Sequence, residues 1–168
     1  MKTEDLCPCG SETPYDACCG KYIEQHQYPE LPEQLMRSRY TAFVKGQLDY
    51  LVATMRDPAA KKFDVEEVRS WLKDIQWQGL KVIDQRLKSP TLGFVSFEAR
   101  YLMNGIPEII TEKSEFHKKH SNQECRDQWF YVDGKPLNPQ RSLKDKTINR
   151  NALCLCQSGK KYKHCCGK

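Results

Sequence analysis

The chain contains no apolar stretch near the roughly 18 residues that a membrane-spanning helix needs. Its first residues, Met1-Lys2-Thr3-Glu4-Asp5-Leu6, hold no apolar run of the kind a secretory leader carries, so a cytoplasmic protein with no membrane segment is expected. There is no P-loop, no G-x-G-x-x-G, no G-x-S-x-G and no H-E-x-x-H. Those absences leave no sign of nucleotide-cradling loops, a nucleophile elbow or a zincin helix. The C-x-x-C spacing of a redox pair is missing as well. The apolar share of 39% over 168 residues suits one modest core with short appendages.

Cysteine is what the chain has in abundance: nine in all. Eight of them fall into two sets, Cys7, Cys9, Cys18, Cys19 and Cys154, Cys156, Cys165, Cys166. Each set reads C-x-C, eight residues, C-C, and a shift of 147 maps one onto the other. Ser11, Tyr15, Gly20 and Lys21 also recur, at Ser158, Tyr162, Gly167 and Lys168, which marks an internal repeat. In a reducing compartment such clusters hold metal more often than disulfides. Zn²⁺ takes four thiolates at tetrahedral corners, and a tight C-x-C loop followed by a returning C-C pair can supply them. Segments this short bury no core of their own, so metal must contribute their folding free energy. Disulfides or redox-active thiols are the alternative; a bridge between the neighbours Cys18 and Cys19 would close a strained ring. The expectation is two structural zinc sites of four thiolates each, with no open position for water and hence no catalytic role. His164, beside Cys165, reads as solvated, and Cys125 as an incidental free thiol.

The residues Cys7-Pro-Cys-Gly-Ser…Tyr15…Cys18-Cys19-Gly20 and Cys154-Leu-Cys-Gln-Ser-Gly-Lys-Lys-Tyr-Lys-His-Cys-Cys166-Gly resemble the SEC-C motif. That motif ends the bacterial protein-translocation ATPase SecA, where it holds one zinc and contacts partner proteins. The second copy keeps the Gly-Lys-Lys-Tyr-Lys pattern; the first has Glu12-Thr13-Pro14 instead of Gly-Lys-Lys. Their loops therefore differ in charge: Glu12 and Asp16 in one, Lys160, Lys161 and Lys163 in the other. Two Zn(Cys)₄ centres would each bring −2 to the formal charge of +5, and a nearly neutral chain is a poor candidate for nucleic-acid binding by bulk charge alone. The basic stretch Lys135, Arg141, Lys144, Lys146, Arg150, joined to the second motif, is the one credible surface for an anionic partner.

Between the motifs (1–24 and 150–168), residues 30–140 read as one α+β domain. Apolar residues Leu35, Met36, Tyr40, Phe43 and Val44 predict a helix over 33–45. Leu48, Leu51, Val52 and Met55 predict a second over 47–55, and Asp64 as N-cap a third with a buried stripe Val65, Val68, Leu72, Ile75. Strands are predicted over 79–87, 92–103, 106–118 and 128–132, with Asn104-Gly105 as a hairpin turn and Asp133-Gly134 as a stop. Helices followed by hairpin-linked strands imply helices packed on one face of an antiparallel sheet. That order is similar to the nuclear transport factor 2-like (cystatin-like) fold, a curved sheet around helices. The full arrangement, with Met36-Arg-Ser-Arg-Tyr40, resembles the YchJ family of small bacterial proteins.

Sheets of that class often enclose a pocket. Arg37, Arg39, Tyr40, Asp84, Glu98, Glu115, His117 and His120 are the polar candidates for one, with Glu115 and His117 sharing a strand face; the favoured reading is that Glu115, His117, Lys118 and Lys119 form a solvated edge instead. Trp71, Trp77, Phe94, Phe97, Trp129, Phe130 and Tyr131 are expected mostly in the core. The leading expectation is a non-enzymatic adaptor whose knuckles contact a protein or ribonucleoprotein partner. The alternatives are an enzyme or small-ligand binder using a central pocket with inward-facing Glu115 or His117, and nucleic-acid binding through the basic C-terminal end.

Overall fold

A computed structural model describes residues 6–121 and 126–137. The chain divides into Met1–Leu137 and Asn138–Lys168, and the second unit lies outside the described residues. So do Cys154, Cys156, Cys165, Cys166, His164 and Cys125, and with them the second predicted metal site.

After a 3₁₀ turn at Tyr15–Ala17 come five helices, α1 (Gly20–Ile23), α2 (Pro32–Lys45), α3 (Leu48–Ala53), α4 (Ala59–Lys62) and α5 (Val65–Leu72). Four strands follow: β1 (Ile75–Ser89), β2 (Leu92–Met103), β3 (Ile106–Ser121) and β4 (Arg126–Pro136). They form one antiparallel sheet in chain order, with helices packed on its inner face, the α+β arrangement expected from the order of elements.

Local chemistry explains the helix ends. Pro32 supplies the preset φ of a first helical position, and the Gln34 side chain reaches back to accept from the Leu31 and Glu30 amides. Gly46 closes α2 in the left-handed region at φ 68°, donating to Phe43 O while Gln47 donates to Ala42 O. Asp64 caps α5 as predicted, its Oδ1 accepting from Glu66 and Glu67 amides. Two expectations are corrected here. Val52 is exposed, because only Leu48, Leu51 and Met55 of that stripe face inward across so short a helix. Ile75 belongs to β1, since α5 stops at Leu72.

The sheet extends beyond its predicted strands. β2 matches the predicted bounds, with Val95, Phe97 and Ala99 buried on the inner face. Asn104-Gly105 makes the turn to β3 with both φ positive, 51° and 79°. β1 begins earlier and runs longer than predicted; its register slips at three bulges, which break the alternation a strand is read by. β4 continues through Asp133-Gly134, because Gly134 leaves the room that the Glu112 carboxylate occupies. Its outer edge is partly covered: Tyr131 exchanges backbone hydrogen bonds with Thr54 and Arg56, both 2.9 Å.

The core lies between the sheet and α2. Leu35, Leu51, Val95 and Phe116 are fully enclosed. Cys7, Cys9, Cys19 and Ile23 belong to the same apolar cluster. The N-terminal segment is thus packed into the central core rather than hung beside it.

Candidate metal centre

The first cysteine set is brought together by backbone turns. Cys7 N–H donates to Thr13 O at 2.8 Å, and Gly10 N–H to Cys7 O at 3.2 Å, which closes the C-x-C loop. The 3₁₀ turn then leads into Cys18 and Cys19, and α1 starts at once, its Ile23 amide bonded to Cys19 O. The four sulfurs lie within 4.8 Å of one another. Cys9 Sγ is 3.6 Å from Cys18 Sγ, which in turn is 3.9 Å from Cys19 Sγ. Zn–S bonds of about 2.3 Å in a tetrahedron place sulfurs about 3.8 Å apart, so these separations fit a metal. A disulfide needs about 2.05 Å, and all four cysteines are free.

Burial sharpens that fit. Cys7, Cys9 and Cys19 are 5%, 0% and 1% exposed, and only Cys18 is partly open. Hydrogen bonds from Cys19 and Cys9 pull the Cys7 thiol well down. The same contacts, together with burial, push Cys19 far up. Cys9 is lowered by Cys19, but Cys7 and burial outweigh this and raise it. Sulfurs this close in low dielectric cannot all be anionic unless a cation sits among them. The Arg37 guanidinium lies beside Cys9, but one cation already shared with Glu33 cannot balance four thiolates. A divalent ion is the group that this donor set suits, and with four thiol donors it would be closed to water.

The surroundings explain the repeated residues that are not cysteines. Ser11 Oγ lies 3.1 Å from Cys18 Sγ. Tyr15 donates to Glu24 Oε1 at 2.7 Å and lies under the Lys45 ammonium. A β-carbon on Gly20 would stand 2.9 Å from Tyr15 O, so the close approach of α1 needs glycine. Helix α2 supplies the rest. Arg37 Nη1 donates to Cys9 O at 3.0 Å while its Nε and Nη2 hold Glu33 Oε1. Thr41 Oγ1 sits 3.7 Å from Cys7 Sγ, and its hydroxyl also favours the anionic form of Cys19.

The predicted pocket residues do not converge. Arg39 is buried in the core, donating to Leu51 O at 2.8 Å and Thr54 Oγ1 at 2.7 Å beneath the Tyr131 ring. Burial lowers its guanidinium to about 10. Tyr40 stands edge-on to Trp77. Asp84 is exposed, Glu98 pairs with Arg100, and His120 pairs with Asp127 at the surface. Glu115 and His117 do share a face and bond at 2.6 Å. That face is the one opposite Ser114 and Phe116, which are enclosed, so the pair lies on the outer face, as the solvated-edge reading has it, and the inward pocket pair of the alternative does not form. Beside them runs a shallow groove of about 130 Å³ lined by Phe94, Lys113, Glu115, Asp133 and Lys135. The aromatics Phe97, Trp129 and Phe130 are buried as expected, whereas Phe94 lies on the outer face under the Lys113 ammonium. Ser38, Arg39 and Thr41 are the buried polar residues that the apolar stripe of α2 did not reveal. The one available signal was that Met36-Arg-Ser-Arg-Tyr40 carries too much polarity for a stripe this buried.

No helix among the described residues is long and apolar enough to cross a membrane. The family described as YchJ, middle NTF2-like domain, matches residues 31–134. The SEC-C motif matches residues 5–21 and 150–168. A UPF0225 protein of Enterobacter sp. (strain 638) is 41% identical over 165 residues, covering 97% of this chain and 98% of its own length. One from Geobacter sulfurreducens is 36% identical over 97% of this chain and 98% of its own. The solution structure of a SEC-C motif containing protein from Rhodopseudomonas palustris superposes with a TM-score of 0.69 at 31% identity, covering 79% of this chain and 99% of that one. A crystal structure of a SEC-C motif containing protein from Psychrobacter arcticus gives 0.67 at 28% identity, over 96% and 95%.

Proposed function

Because the chain belongs to the YchJ family, with an NTF2-like middle domain between two SEC-C motifs, we propose that it is a zinc-dependent, non-enzymatic adaptor. Two structural Zn²⁺ ions are held, one by Cys7, Cys9, Cys18 and Cys19 and one by Cys154, Cys156, Cys165 and Cys166. The observation that carries this is the first sulfur cluster: four thiols, three of them buried, within 4.8 Å of one another, with Cys9–Cys18 and Cys18–Cys19 near a tetrahedral edge. Its ion has structural work only, since thiolates fill every coordination position.

The two knuckles divide the labour. The first is packed into the core and held by α2, so it acts as a staple. The second carries Lys160, Lys161 and Lys163 and follows a basic stretch, which suits contact with an acidic protein or ribonucleoprotein surface. The scattering of Arg39, Tyr40, Glu98, Glu115 and His117 over two faces supports an adaptor over an acid–base enzyme.

The test is affinity capture from the source cytosol with the full chain and with Cys165→Ser/Cys166→Ser, both with and without nuclease. Specific partners retained by the wild type and lost by the variant are expected, with the thermal midpoint of the central domain unchanged. Identical recovery by both chains would remove the second knuckle from any adaptor role.

A further inference from the structure

The polar face of α2 toward the first cysteine cluster has no explanation in the packing of the central domain. Thr41 is fully buried, and it turns its hydroxyl to Cys7 rather than to the carbonyl one helical turn back. Arg37 spans from Glu33 to the Cys9 carbonyl, fixing the C-x-C loop from outside the motif. A thiolate is an acceptor only, so Thr41 Oγ1 must donate to sulfur when the ligands are deprotonated. Groups that hydrogen-bond to metal ligands set their orientation and charge, and their loss weakens metal binding about 10–100-fold.

We propose that Thr41 and Arg37 are positioning residues for the first metal, so that α2 of the central domain forms the outer shell of the N-terminal site. This rests on the zinc reading above and extends it from the motif to a second element. It gives the polar part of Met36-Arg-Ser-Arg-Tyr40-Thr41 a division of roles. Arg37 and Thr41 face the cysteines, while Ser38 and Arg39 tie α2 to Tyr50, Leu51 and Thr54. Metal binding at the first site and folding of the central domain are then one equilibrium, because the same helix serves both. The hydroxyl on Cys7 also stabilises sulfur charge, so less of it is donated to the ion.

The experiment uses the full chain carrying Cys165→Ser/Cys166→Ser, so that only the first site is read. Zinc affinity is measured by chelator competition, and Co²⁺ is substituted for spectroscopy, in that background and with Thr41→Val, Thr41→Ser or Arg37→Met added. Thr41→Val and Arg37→Met are each expected to weaken zinc about 10-fold or more, with Thr41→Ser close to the background. The sulfur-to-cobalt charge-transfer band should move to lower energy in Thr41→Val and return in Thr41→Ser, a signature that loose packing alone does not produce. Unchanged affinity and an unchanged band in Thr41→Val, with unchanged affinity in Arg37→Met, would overturn the outer-shell role while leaving the thiolate site standing. A background chain that takes up neither metal would overturn both. Should Thr41→Val fail to fold, weakened binding in a folded Arg37→Met supports the assignment and full affinity there contradicts it.

Discussion

Gly20 leaves no space for even a methyl group. An added β-carbon meets Tyr15 O at 2.9 Å and the Tyr15 ring at 3.0 Å, and Tyr15 is itself pinned by Glu24 and Lys45. Gly20→Ala is therefore expected to lower stability by about 1–3 kcal/mol and to loosen the first knuckle. Thermal melts with and without chelator measure it, and a midpoint equal to wild type would count against the packing described. Arg39 offers a second probe. Its guanidinium is enclosed and donates to Leu51 O and Thr54 Oγ1, so Arg39→Ala removes both of these bonds and leaves a void beneath Tyr131. A loss of about 3 kcal/mol or more in urea unfolding is expected. By contrast, Glu115→Gln and His117→Asn, on the outer face, should each change stability by no more than about 0.5 kcal/mol.

At the scale of elements, α2 governs what could be read in advance. Its ends were legible because Pro32 and Gly46 have local, chain-encoded effects. Its inside was not. A one-sided helix shows a clear apolar stripe, but α2 is covered by the sheet on one side and the cysteine cluster on another. Ser38 and Thr41 then fall outside the apolar stripe and Arg39 reads as a pocket residue, since their partners, Tyr50, Leu51, Thr54 and Cys7, are set by tertiary contact. The first cysteine cluster was legible as a motif, while its attachment to α2 was not, for the same reason. β2 could be located because Val95, Phe97, Ala99, Tyr101 and Met103 alternate along it; β1 was cut short because bulges interrupt it. The inward pocket pair failed because alternation assigns two residues to one face without saying which face is inside. Phe116 and Ser114 decided that. Asp64→Ala removes both acceptor contacts at the start of α5 and should cost about 1 kcal/mol by thermal denaturation.

For the molecule as a whole, the proposed metal and the fold stand or fall together. Burial raises the Tyr40 phenol to about 12 and lifts Tyr50 and Tyr131 higher still. These groups stay protonated in the folded chain when the unfolded chain ionises near pH 10. Stability is thus fully present below about pH 10 and falls as pH rises through about 12. In acid the thiolates take up protons and any bound zinc is released, which should carry the central core with it. The most direct test of the central claim is zinc K-edge X-ray absorption on the full chain purified without chelator, paired with elemental analysis. The account predicts about two zinc per chain and one shell of four sulfurs at about 2.3 Å. A first shell containing nitrogen or oxygen, or a folded chain with no metal and all thiols freely titratable, would contradict it.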